Sequence, residues 1–121
     1  MKRDMDLIRE ILLKVEELPF DGAFHDITVE GRSDDEITYH VMLLHEAGLI
    51  EAADLSTLAG MCWKPLRLTY TGHEFLDAAR SQTVWVKAKA LVLKTSGALT
   101  VEALKIALPH VMRMVVEGRL T

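Results

Sequence analysis

Scarcity sets the first limits on this chain. One cysteine, Cys62, stands alone among 121 residues, so no internal disulfide can form and no CxxC pair offers metal ligands. Aromatic residues are few, with three Phe, two Tyr and two Trp, while Leu, Val, Ile, Ala and Met abound. That balance suits helices packed on a small sheet better than a large sheet. No uncharged apolar run nears the roughly 18 residues that span a bilayer, so no membrane partner is expected. The opening "MKRDMDLIRE" is charged throughout and lacks the apolar stretch of a secretory leader. A cytoplasmic protein is the expectation. Nucleophile-elbow, Walker, dinucleotide and HExxH patterns are also missing, so neither catalytic residues nor a cofactor are expected.

What is present points to one domain with an appended piece. Half the residues are apolar and about a quarter are charged, which supports a real core. The formal net charge is −4, unevenly spread: residues 1–80 hold 8 Lys/Arg against 16 Asp/Glu, and residues 81–121 hold 6 against 2. An acidic body argues against broad nucleic-acid binding, because phosphate neutralisation supplies most of that affinity. A division near residue 81 is therefore expected, with a domain over 1–80 and a helical extension over 81–121.

Periodicity gives the elements. Met5, Ile8, Ile11, Leu12 and Val15 recur at helical spacing, and Pro19 closes that helix. "HDITVEG" alternates around Ile27 and Val29 and reads as a short strand. Ser33-Asp34-Asp35-Glu36 is a capping box opening a helix with Ile37, Val41, Leu44 and Ala47 inward, and Gly48 ends it. "LIEAADL" reads as a strand, 55–65 as a loop, and "PLRLTYTG" as the return strand with Leu66, Leu68 and Tyr70 on one face. Thr71 to Glu74 reads as a second capping box, leading a helix with Phe75, Leu76 and Ala79 inward. Residues 82–94 form another helix, stopped by Gly97, with Val84, Trp85, Ala88, Leu91 and Val92 on one side. Thr100 caps the last, which Pro109 should kink or split.

"LLHEAGLIEA" followed by "RLTYTGHEFLDAAR" resembles the wing region of winged helix-turn-helix regulators. With "MKRDMDLIREILLKVEE" and "TVW", the whole chain looks like a domain family of unknown function from bacteria and phages that is assigned a winged-helix fold. The resemblance implies a mainly α fold with a small antiparallel β-hairpin (α+β): a winged helix followed by C-terminal helices. It implies either a DNA-binding transcriptional regulator or a protein-interaction module. Two departures stand out. Only Gly31-Arg32 separates the first strand from Ser33, so the supporting helix is missing or reduced to a turn within residues 20–25. The helix in the recognition position carries Asp34, Asp35 and Glu46 outward and no Lys or Arg, the side chains that most often read guanine and phosphate.

The candidate residues follow. For DNA they are Lys2, Arg3, Arg32, Lys64 and Arg67. For a protein partner they are Leu58, Met61 and Trp63 in the wing loop, and the stripe Leu104, Leu108, Val111 and Val115. That stripe is the expected face of a homodimer, or else it packs within the chain. Glu36 and His40 stand one helical turn apart, but two residues do not make a metal site; an exposed side-chain contact is the expectation. His25 and His73 read as surface or capping positions, and Cys62 as a small buried residue.

Overall fold

The computed structural model describes residues 1–118. Its order is α1 (Met5–Glu16), α2 (Asp34–Glu46), β1 (Ile50–Asp54), β2 (Trp63–Leu68), α3 (Tyr70–Ala79), α4 (Gln82–Ser96) and α5 (Val101–Val116). The fold is mainly helical with one two-stranded antiparallel sheet. It divides into two compact units, Met1–His73 and Glu74–Thr121, with α3 running across the division. No described helix is long and apolar enough to cross a membrane.

The first unit is built on α1. Asp4 caps it by accepting from the amides of Asp6 and Leu7, and Leu7, Ile8, Ile11 and Leu12 are fully buried. This helix packs on α2 and β2, and α2 in turn packs on both strands. α2 starts with the expected capping box, in which Ser33 Oγ accepts from the Glu36 amide while the Glu36 carboxylate accepts from the Ser33 amide. It ends in a Schellman turn. Gly48 is left-handed at φ +76°, its amide donates to the His45 carbonyl, and the Leu49 amide donates to Leu44. Ile37, Val41 and Leu44 are buried as their spacing requires, but Ala47 lies at the end of the helix and is exposed.

The hairpin pairs Ile50 with Leu68 and Asp54 with Trp63, with an irregularity between Glu51 and Ala52 that leaves Leu66 unpaired. Three expectations are corrected here. Residues 25–29 are not a strand: the alternation holds, with Ile27 and Val29 half-buried and Asp26 and Thr28 exposed. Yet among the described residues the only backbone hydrogen bond from this segment to β2 is His25 N–H to Pro65 O, and Pro65 has no N–H to return. Second, the return strand begins at Trp63 and ends at Leu68, and Tyr70 is an exposed first residue of α3. Third, the cap of α3 is Thr69, whose Oγ1 accepts from the Gly72 amide, not the Thr71 box.

The second unit holds the helical hairpin α4–α5. Ser81 caps α4, Gly97 stops it in the left-handed region, and Thr100 caps α5. Phe75 meets Trp85 edge-on with centroids 6.4 Å apart, and Trp85 is fully buried. α5 runs unbroken through Pro109, so the expected split does not occur.

Candidate functional site

The junction around the hairpin is the most tightly specified part of the first unit. Thr69 acts three times: its amide donates to Leu49 O, its hydroxyl donates to Gly48 O at 2.6 Å, and the same oxygen caps α3. Gly72 lies where the first turn of α3 passes close to the backbone of Leu49, just before β1. A Cβ there would meet the Leu49 carbonyl oxygen at 1.9 Å. The Leu68-Thr69-Tyr70-Thr71-Gly72 run is therefore a clamp between the end of α2 and the start of α3.

A second clamp was not foreseen. His40 is buried, not an exposed partner of Glu36. Its Nε2 accepts from the Asp4 amide at 2.8 Å and its Nδ1 donates to the Glu36 carbonyl at 2.8 Å. An amide can only donate and a carbonyl only accept, so the neutral ring with its proton on Nδ1 is the form that satisfies both. Arg32 reinforces the same corner by bridging Asp4 at 2.7 Å and Glu36 at 3.2 Å. Burial opposes ionisation of Asp4, but the Arg32 guanidinium and the Leu7 and Asp6 amides outweigh it and hold the carboxyl below its ordinary range. Glu36 is lowered by the Ser33 amide and by Arg32. Only the sequence separation of these partners hid the cluster.

The candidate cations are mostly engaged. Arg32 serves that cluster. Lys64 Nζ pairs with Asp26 at 3.0 Å, which raises the lysine pKa. Arg67 grips Glu51 across the hairpin through two bonds of 2.7 and 3.2 Å, a geometry specific to the guanidinium fork. Lys2 and Arg3 are exposed at the N-terminus. On α2, Asp34, Asp35 and Glu46 all face solvent, so its outer surface is acidic.

The hairpin tip is ordered yet apolar. Ser56 Oγ accepts from the Cys62 amide, Leu55 N–H donates to Cys62 O at 2.7 Å, and Thr57 and Gly60 exchange backbone bonds around Leu58 and Ala59. Leu58 at the apex is fully exposed (110%) and Met61 is 59% exposed. Trp63 differs from both. It is half-buried against α2, its amide donating to Thr38 Oγ1 at 2.8 Å and its ring 5.5 Å from that of His45. It is an anchor for the hairpin base, and its indole N–H finds no acceptor among the described residues. A cleft of about 530 Å³ opens beside it, lined by Ile27, Ile37, Met61 and Pro65 and flanked by Asp34 and Asp35.

The C-terminal stripe is spent within the chain. Leu104, Leu108 and Val111 are buried, and Val115 is half-buried, so the first three do not present the outward face expected of a dimer surface. Among the described residues no three His, Cys, Asp or Glu side chains gather as metal ligands.

Known proteins supply a family and no activity. A family model described as "Hypothetical protein (DUF2513)" matches residues 2–98. A Haemophilus influenzae protein (strain ATCC 51907 / DSM 11121 / KW20 / Rd), described as an uncharacterized protein, is 42% identical over 106 residues, covering 87% of this chain and 90% of its own length. No solved structure matches.

Proposed function

We propose that this chain, which belongs to the DUF2513 family, is a winged-helix-like protein-interaction module, bacterial and cytoplasmic, that meets its partner through the hairpin tip. The element order α1, extended 25–29, α2, hairpin, α3 supports the winged-helix reading, with residues 25–29 standing as the remnant of a third strand. The observation that carries the functional reading is Leu58. Leu58 stands fully exposed at the apex of an ordered turn beside exposed Leu55 and Met61, and an exposed apolar group of this kind, unlike a lone residue, marks a contact surface.

Electrostatics weighs against the DNA-regulator reading. Arg32, Lys64 and Arg67 are paired with carboxylates, and freeing them for phosphate would leave Asp4, Asp26 and Glu51 facing the duplex. Two measurements test the proposal. A photoreactive residue at position 58 should give a discrete adduct in cells that is lost with Met61→Asp, whereas one at exposed Lys14 should give none. Titration with random-sequence duplex should show no binding even at low salt. Steep, salt-dependent binding that weakens with Lys2→Glu and Arg3→Glu would restore the regulator reading and sink this one.

A further inference from the structure

The cleft beside Trp63 holds about 530 Å³, within the span of about 300–1,000 Å³ common to ligand sites. Ile27, Ile37, Met61 and Pro65 give it an apolar lining. Its basic residues are engaged: Lys64 pairs with Asp26 at 3.0 Å, and His25 pairs with Asp21 at 3.0 Å. Two more carboxylates line it, Asp34 and Asp35 in the first turn of α2, and both are exposed. Among the described residues neither carboxylate takes a hydrogen bond or an ion pair. Capping does not use them, because Ser33 and Glu36 form the box, and Arg32 turns to Glu36 and Asp4. The cleft is therefore apolar with uncompensated negative charge along one side. Its wall also holds the buried indole N–H of Trp63, a donor that ordinarily finds an acceptor.

We propose that this cleft takes an arginine side chain from a segment of the partner protein, its carbon stem on Ile27, Ile37 and Met61 and its guanidinium on Asp34 and Asp35. Complementarity chooses the occupant. An apolar side chain would leave both carboxylates uncompensated, and an anion would be repelled. Arginine brings an apolar stem, a weakly hydrated plane that stacks on aromatic rings, and a fork of donors for two carboxylates. A peptide carbonyl beside it is the acceptor that the Trp63 indole lacks. A second copy is a poor occupant. Residues 1–80 hold 8 Lys/Arg against 16 Asp/Glu, and Arg32 and Arg67 already grip carboxylates. Taking the occupant from a protein rests on the reading of the hairpin tip, because Met61 belongs to both surfaces.

The test uses the full chain and a short fluorescein-labelled peptide with one central arginine among leucines and glycines. A second peptide carries citrulline instead, which keeps the shape and removes the charge. Anisotropy should show the arginine peptide binding about tenfold tighter or more, the weight of a charge-assisted pair. Asp34→Asn with Asp35→Asn should erase that difference. Glu10→Gln with Glu17→Gln, carboxylates outside the cleft, should preserve it. The citrulline comparison needs no variant, so it decides even where a variant misfolds. Equal affinity of wild type for both peptides, or no binding at millimolar peptide, would overturn the proposal. So would equal losses in the two double variants, which would reduce the cleft to a general acidic surface. Arginine amide binding as tightly as the peptide would assign the cleft to a small cation. Self-association lost with Asp34→Asn and Asp35→Asn would assign it to a second copy. Either result would also overturn the partner's arginine. A discrete adduct from position 58 without any arginine preference would keep the tip reading and sink this one; arginine preference without an adduct would do the reverse.

Discussion

Gly72 is the residue with least freedom. Any side chain there must displace the Leu49 carbonyl, which is backbone already bonded to the Thr69 amide. Gly72→Ala should therefore cost more than about 2 kcal/mol in urea unfolding, an overpacking penalty with no flexible neighbour to absorb it. His40→Leu should keep the packing but leave the Asp4 amide without its acceptor, costing about 1–3 kcal/mol. Unchanged stability would show that solvent replaces the ring. The carboxylates of this corner also predict a pH dependence. Asp4 and Glu36 are both held below their ordinary values, so their contribution is complete above about pH 5 and is lost progressively as pH falls toward the lower folded values. The urea midpoint should drop on acidification through that window, and Arg32→Ala should flatten the drop. Both groups touch solvent, so the effect is modest. Of this corner, the Ser33–Glu36 box was legible because its partners lie one turn apart. His40 was not, because its partner Asp4 lies 36 residues away.

Elements whose signals are local were read correctly. α1, α2 and α4 have apolar spacing, caps and stops within a few residues, and each appears near its expected bounds. Errors gathered where a neighbour decides. Residues 25–29 have strand alternation, but a strand exists only if its neighbour returns hydrogen bonds, and Pro65 cannot. Thr69 rather than Thr71 caps α3 because Thr69 is pinned to Gly48 across the hairpin junction. α5 absorbs Pro109 although the Lys105 carbonyl thereby loses its i+4 donor. Pro109→Ala should return that bond and raise the stability of the α4–α5 hairpin by about 1–3 kcal/mol, readable as a higher unfolding temperature. A lower one would mean that the helix is shaped around the proline. At the hairpin tip, Leu58→Asp should leave stability within about 0.5 kcal/mol of wild type while removing the proposed interaction, since Leu58 packs on nothing.

For the whole molecule the questions are charge and association. The stripe offered by the sequence for a second subunit is buried in the chain at Leu104, Leu108 and Val111. Sedimentation of the purified protein should accordingly show a monomer; a stable dimer would require a surface other than that stripe. The sequence by itself determined the mainly helical class, the hairpin, most helix stops and the acidic balance of the first 80 residues, because hydrophobic period, capping and composition act within a turn or two or need no geometry at all. Tertiary structure decided the fate of the candidate residues. Lys64 met Asp26, Arg67 met Glu51, Trp63 settled on α2, and Leu58 was left outside. The first three outcomes join groups far apart in the chain, where no spacing rule operates, and only the folded arrangement chooses which charge is neutralised and which apolar side chain stays exposed.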